Sequence, residues 1–297
     1  MARNGQEAAS YSRRLAPSPA LRGIVSGYSA YAYAGGVVRR RLVVPNTIAT
    51  VNFGFGAPVR TLGMAGDRRY STAASRADLP ATVAVRAEHE GDVRGVVVRM
   101  PPMGAYRLFG VPMSQWRQPH LDPVNLLPRT LRHLPEMLAH APAGERLRLL
   151  DAALAPLLDR GARVSPEVMW AWHELHRVRG RIRVGRLAAD TLWSVRHLER
   201  RFREQIGHSP AAIARILRFT NALRLQKQGL PLARVADLAG FHDQAHFHHT
   251  VRAVTGMTPT QFLRGGRIEW DAESPPEPAA PEGGEAGQRP CGGPGRP

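Results

Sequence analysis

Two stretches of this sequence share one pattern: SVRHLERRFREQIGHSP (Ser194–Pro210) and DQAHFHHTVRAVTGMTP (Asp243–Pro259). Each begins with a residue whose side-chain oxygen is suited to cap a helix, and apolar residues follow four and eight positions later. Each ends with a glycine and then a cap residue before proline, which is typical of one helix ending and another beginning. The pattern predicts two capped helices, Ser194–Ile206 and Asp243–Thr255, each with one buried stripe.

A short helical segment precedes each of these two helices. Residues 185–191 lie before the first helix and residues 232–239 before the second. The chain therefore repeats a helix, a tight turn and a second helix, which is the layout of a paired helix-turn-helix DNA reader.

The residues of this repeat resemble the DNA-binding domain of the AraC family of bacterial transcription regulators. The stretches that match the two units of the family domain are LAADTLWSVRHLERRFREQIGHSP (Leu187–Pro210) and GFHDQAHFHHTVRAVTGMTPTQFLR (Gly240–Arg264). His249 stands where the family usually has arginine, and Val251 stands where it usually has phenylalanine. The resemblance implies a transcription regulator that binds double-stranded DNA sequence-specifically.

The resemblance also implies which side chains face the DNA. These residues are, in the first helix, Val195, Arg196, Glu199 and Arg200, and, in the second, Gln244, Ala245, His248 and His249. Arg203 and Arg252 of the same helices are further predicted DNA-binding residues. Their chemistry suits base edges, because arginine pairs with guanine, glutamate accepts from cytosine N4, glutamine pairs with adenine and alanine touches the thymine methyl. A surface salt bridge is the structural alternative for Arg200.

Apolar periodicity separates the buried side of each helix from the readout side. In the first helix, Val195, Leu198 and Phe202 compete for the buried side. In the second unit, Phe241, Phe247 and Val251 are expected in the core and not as stacking platforms for bases. The histidines around the second helix include His242 and His246 at metal-ligand spacing, but no carboxylate completes a zinc motif, so phosphate pairing or pH-sensitive affinity is favoured.

Between the two units, residues 210–227 read as one helix with an apolar side. Eighteen residues at about 1.5 Å each give a spacer of roughly 27 Å. Successive major grooves lie ~34 Å apart on one face of DNA, so a single chain is able to read a bipartite site.

Composition supports a polyanionic partner. The 297 residues carry a formal net charge of +17, almost wholly from arginine. Nucleic acid is the first interpretation and an anionic membrane the second, although a GC-rich genome would also enrich arginine. Residues 166–265 alone contain sixteen Arg or Lys against seven Asp or Glu.

The sequence shows no stretch of the ~20 apolar residues that a membrane span needs and no apolar signal-peptide core. The only cysteine is Cys291, which excludes a disulfide framework and cysteine-based zinc sites. We therefore expect a cytoplasmic protein without a membrane partner, a metal or another cofactor.

The sequence predicts an α+β multidomain protein. A polar arm (1–20) precedes a β-rich domain (21–115), in which turn-bounded β-branched runs indicate an antiparallel barrel or sandwich. By resemblance, this domain is cupin-like and serves effector sensing or dimerisation. A helical connector (116–165), the DNA-binding domain (166–265) and a disordered tail (266–297) follow.

Within the connector, Glu145–Leu158 places leucines on one helical face. Packing against the barrel is the simpler interpretation, and a homodimer interface is the alternative. The resemblance adds RNA polymerase and an unidentified small-molecule effector as partners. Two other functions compete with a regulator: an architectural DNA-binding protein without effector sensing, and a cupin-like enzyme, for which no catalytic motif is found.

Overall fold

A computed structural model of the chain describes residues 11–65, 70–116, 120–142 and 144–264. The predicted disordered tail, and the part of the predicted arm before Tyr11, lie outside these residues. No helix in the described ranges is long and apolar enough to cross a membrane.

The described chain begins with strands and continues with helices. The strands are β1 (Tyr11–Leu15), β2 (Gly27–Tyr33), β3 (Arg39–Val43), β4 (Ala49–Gly54), β5 (Val59–Gly63), β6 (Tyr70–Ala73), β7 (Arg76–Asp78), β8 (Val85–His89) and β9 (Val93–Met100). The helices are α1 (Pro102–Phe109), α2 (Leu134–His140), α3 (Arg146–Leu154), α4 (Pro166–Arg177), α5 (Val184–Asp190), α6 (Val195–Ile206), α7 (Pro210–Lys227), α8 (Leu232–Leu238), α9 (Gln244–Thr255) and α10 (Pro259–Arg264). The protein is thus α+β, with a β-rich N-terminal region and a helical C-terminal region.

The strands form two antiparallel sheets. The first has the order β1-β2-β9-β4-β7 and the second the order β3-β8-β5-β6. Alternation along β9 buries Val96, Val98 and Met100 on one face of the first sheet. This face packs against the helices of the connector, where Leu150 and Leu154 of α3 are buried in the same core. The predicted packing role of the α3 leucines is therefore confirmed.

The other face of the first sheet meets the second sheet through polar side chains. The ring centroids of Tyr33 on β2 and His89 on β8 lie 5.8 Å apart. On the same face of β2, the Tyr31 hydroxyl donates to Asn52 Oδ1 at 2.9 Å, and burial raises the pKa of Tyr31. From the second sheet, Thr61 and Ser71 are buried as a cross-strand pair. The space between the sheets is therefore more polar than an ordinary sandwich core.

The prediction of a polar arm over residues 1–20 is wrong for Tyr11–Leu15. These residues form β1, which pairs with β2 through the main chain. An edge strand is held by backbone hydrogen bonds, so a sequence such as YSRRL need not show an apolar pattern. Strands β2, β5, β6 and β7 were also not predicted individually. β6 and β7 have only four and three residues, and β2 and β5 carry polar residues on one face.

Candidate nucleic-acid interface

Two helix-turn-helix units follow the connector, and each has its own core. The first unit is α5 and α6, which pack with α4 around the N-terminal half of α7. The second unit is α8 and α9, which pack with α10 around the C-terminal half of α7. Helix α7 spans Pro210–Lys227 as predicted, and both of its halves are buried, so it joins the two cores as a continuous spacer.

The predicted caps hold the second helix of each unit, α6 and α9, which we call the recognition helices. Ser194 Oγ accepts from the main-chain N–H of His197 at 3.2 Å, and Asp243 Oδ1 accepts from that of His246 at 2.7 Å. Gly207 and Gly256 end the helices in the left-handed region, with φ of 90° and 74°. Only glycine adopts this conformation without strain, which explains its place in both repeats.

The exposed side of α6 carries the predicted base-facing residues. Leu198 and Phe202 are fully buried, whereas Arg196 and Arg200 are exposed. Val195 is 44% exposed, so the expectation that it competes for the buried side is wrong: as the first residue of the helix, it precedes the turn that packs. Together with Glu199 and Arg203, these residues form what we call the first readout face.

Hydrogen bonds separate the arginines of this face into two kinds. Arg203 Nη2 donates to Glu199 Oε2 at 3.1 Å in an i,i+4 ion pair. Arg200 Nη2 lies 3.4 Å from His197 Nδ1 and has no carboxylate partner among the described residues. Arg196 has no hydrogen-bond partner there either. Arg196 and Arg200 therefore present two uncompensated guanidinium groups, and the salt-bridge alternative for Arg200 is not what the structure shows.

A cleft lies in front of the first readout face. Its volume is about 620 Å³, and its lining includes Arg196, Arg200 and Arg203 together with Ser114, which belongs to the short helix Met113–Trp116 of the N-terminal half. Ser114 therefore lies within reach of a ligand that contacts these arginines. Sequence reasoning missed Ser114, because nothing in the local pattern connects it with a helix eighty residues later.

The second readout face consists of Gln244, Ala245, His249 and Arg252, all of which are exposed on α9. His248, the remaining predicted residue, is half-buried, and its Nε2 atom is covered and has no hydrogen-bond partner among the described residues. The structure thus brings four of the five predicted residues to one exposed surface and turns His248 partly inward. As predicted, Phe247 and Val251 are buried below this surface.

A polar network fixes α6 against its surroundings. Arg201 Nη1 donates to Glu204 Oε2 at 2.7 Å, and Arg201 Nη2 donates to Ser165 Oγ at 2.9 Å. The Tyr106 hydroxyl of α1 donates to Glu204 Oε1 at 3.3 Å. Arg201 is therefore a positioning residue, although its neighbour Arg200 faces the cleft, and sequence alone does not distinguish the two.

A basic loop that the sequence reasoning did not single out lies between the two units. Residues 177–181 contain three arginines, and Arg179 has a positive φ of 51°. The Arg181 side chain packs against Gly240 in the turn of the second unit, and Arg218 Nη1 donates to the Gly180 carbonyl at 2.8 Å. This loop adds positive charge at the boundary between the two helix-turn-helix units.

His242 and His176 lie in opposite environments, one on the surface and one buried. His242 Nδ1 lies 3.0 Å from Asp243 Oδ2 on the surface, and the described part of the chain contains no cluster of three residues suited to hold a metal. His176 of α4 is the opposite case. Burial lowers the pKa of His176 to about 4, and its Nε2 has no partner in the described chain.

Comparison with known proteins agrees with the geometry of the two units. A family described as a helix-turn-helix domain matches residues 187–265. A probable bifunctional transcriptional activator/DNA repair enzyme AlkA of Mycobacterium tuberculosis is 37% identical over 78 residues, which cover 26% of this chain and 16% of that protein. The chain therefore matches only about a sixth of this relative's length.

Solved structures with a similar arrangement include ToxT from Vibrio cholerae and the C-terminal domain of AraT, a response regulator from Geobacillus stearothermophilus. ToxT gives a TM-score of 0.41 at 8% identity, covering 80% of this chain and 97% of ToxT. The AraT domain gives 0.33 at 22% identity, covering 38% of this chain and 95% of that domain. With the family match and the two capped units, residues 187–265 belong to the AraC type of helix-turn-helix domain.

Proposed function

We propose that this protein is a transcription regulator that binds a bipartite DNA site sequence-specifically, with one recognition helix in each of two successive major grooves. The observation that carries the proposal is the pair of exposed readout faces on separately packed units. Helix α7 joins these units, and its eighteen residues extend about 27 Å. This length is comparable with the ~34 Å between successive major grooves on one face of DNA.

The two faces suit different base pairs. On the first face, Arg196 and Arg200 have free donors that match guanine O6 and N7. Glu199 uses only its Oε2 atom for Arg203, which leaves Oε1 able to accept from cytosine N4. On the second face, Gln244 matches adenine N6 and N7, and Ala245 matches the thymine methyl. We therefore expect a G/C-containing half-site for α6 and an A/T-containing half-site for α9.

Charge supplies the part of the affinity that does not depend on sequence. The excess of basic over acidic residues in 166–265 attracts phosphates, and the release of counterions makes such binding weaken with salt. The partial match to a bifunctional activator/repair enzyme falls only within the helix-turn-helix region. The proposal accordingly assigns DNA binding to this region and carries over no repair activity.

We infer that the N-terminal domain holds a polar effector between its two sheets. Tyr31, Asn52, Thr61 and Ser71 place hydroxyl and amide groups between the sheets, where Tyr31 bonds to Asn52 and Ser71 contacts His120. A polar ligand would exchange its own hydroxyl or carbonyl groups for these partners. Exchange of the effector would alter how the protein acts at a promoter, with RNA polymerase as the downstream partner. A second copy of the chain remains a further proposed partner.

The test is a selection from random duplex DNA with the full-length protein at physiological salt. Recovery of two short conserved base sequences, which we call words, about one helical turn apart supports the proposal. Salt-sensitive binding without any enriched word would contradict it and favour an architectural DNA-binding protein.

A further inference from the structure

Three neighbouring strands of the second sheet end against the C-terminal end of α9. Three residues lie next to the last paired residues at one end of this sheet: Val44 follows β3, Ala84 precedes β8 and Met64 follows β5. They therefore form a row at that end. Val44 is buried in the core of the second unit. The main-chain N–H of Ala84 donates to the Val254 carbonyl at 2.7 Å. The Met64 carbonyl lies so close to Gly256 that a Cβ there would come within 2.2 Å of it.

The connection from β7 to β8 also touches the C-terminal end of α6. His208 Nε2 donates to the Pro80 carbonyl at 2.8 Å. The Leu79 side chain packs against Gly207, where a Cβ would come within 2.5 Å of it. We call Val44, Met64, Leu79, Pro80 and Ala84 the brace, because they contact the ends of both recognition helices.

Chain length limits how far apart the brace allows these ends to lie. Pro80 and Ala84 are four residues apart, and an extended chain covers at most about 14 Å over that length. Their hydrogen bonds to His208 and Val254 measure 2.8 and 2.7 Å. With the reach of the His208 side chain added, the C-terminal ends of α6 and α9 are therefore tied within about 25 Å of each other.

The brace leaves both readout faces uncovered at its contact points. The brace contacts α6 from its C-cap Gly207 onward and α9 from Val254 onward. The predicted base contacts begin at the opposite ends of these helices, at Val195 in α6 and at Gln244 in α9. Apart from the brace, the two units are linked by α7 and by the Arg181 side chain, which packs against Gly240. The N-terminal half also holds α6 through the hydrogen bond from Tyr106 to Glu204. Long helices bend, so α7 alone does not fix the angle between the units.

We propose that the N-terminal domain is part of the DNA-reading device: the brace positions the two recognition helices and so sets the spacing between the half-sites. This inference rests on the proposed function. Its residues are positioning residues, since they act through their contacts with the ends of α6 and α9. It predicts that loosening the brace changes which spacing is bound, while the words read by each helix stay the same.

Two matched pairs of variants isolate the brace. Val44→Ala and the control Val51→Ala each remove two methyl groups from a side chain that is 2% or 1% exposed, but Val51 lies in the core of the first sheet. His208→Leu removes the donor to Pro80, whereas His208→Gln keeps an N–H donor that is able to reach the same carbonyl.

The experiment measures the affinity of the full-length proteins for duplexes that carry the two selected words at the selected spacing or one base pair longer or shorter. We expect wild type, Val51→Ala and His208→Gln to prefer one spacing by about tenfold, which corresponds to about 1.4 kcal/mol. Val44→Ala and His208→Leu should lose most of this preference.

The alternative outcomes separate this inference from the proposed function. If both brace variants keep the wild-type preference, or if Val51→Ala loses it equally, the brace does not set the spacing, although the protein still reads two words. If wild type binds all three spacings equally, the inference also fails. If selection recovers no words, the proposed function fails and the inference falls with it.

Discussion

Substitution of Arg200 by alanine removes a guanidinium that the structure leaves free for DNA. Arg200 is exposed, and its one hydrogen-bond contact within the described ranges is the 3.4 Å contact with His197 Nδ1. Folding stability should therefore change by less than about 0.5 kcal/mol. A bidentate contact with guanine contributes about 1–3 kcal/mol of discrimination. We therefore expect specific affinity to fall by roughly 5- to 150-fold.

Fluorescence anisotropy with the selected duplex and with a scrambled duplex measures this effect at several salt concentrations. Arg215→Ala is the control, since Arg215 is an exposed arginine on α7 outside both readout faces. Arg200→Ala should weaken binding to the selected duplex far more than to the scrambled one, whereas Arg215→Ala should affect both about equally.

Two results would refute the assignment of Arg200 to base readout. One is unchanged affinity for both duplexes. The other is an equal loss for both, with the slope of log affinity against log salt reduced by about one, because this is the signature of a phosphate contact.

Three further substitutions test separate parts of the structure. Ser209→Ala removes the acceptor for the Ala212 N–H and should cost about 1 kcal/mol of unfolding free energy in a urea titration; no change would contradict the capping role. His176 binds a proton near pH 6.5 when unfolded but only near pH 4 when folded, so stability should fall by up to about 3 kcal/mol as pH drops through that window. His176→Leu should flatten this dependence, and an unaltered pH profile would assign it elsewhere. Ser114→Glu places a negative charge in the cleft before α6 and should weaken DNA binding about fivefold; unchanged affinity would mean that DNA does not approach Ser114.

The C-terminal units were predictable because their signals are local. A capping side chain, an apolar stripe and a terminal glycine all lie within seventeen residues, and the structure places Ser194, Phe202 and Gly207 in those roles. The corresponding residues of α9 follow the same rules. Exposure of Arg196 and Arg200 also follows from helical periodicity alone.

The N-terminal half and its contacts were less predictable because their causes are not local. Strand β1 depends on main-chain pairing with β2, and the brace depends on three strand ends meeting α9 across more than 150 residues of chain. The inward turn of His248 depends on the packing around it. Spacing and composition do not encode such contacts, so they emerge only from the folded arrangement.

Substitution of single purines of the selected site by their 7-deaza analogues tests the central claim most directly, because it removes the N7 atom that guanine and adenine present in the major groove. We expect affinity to fall at two groups of purines about ten base pairs apart on one face of the duplex. With Arg200→Ala, the substitutions in one group should lose their effect while those in the other group keep it. A loss of affinity at one continuous group, or at no purine, would contradict reading by two recognition helices.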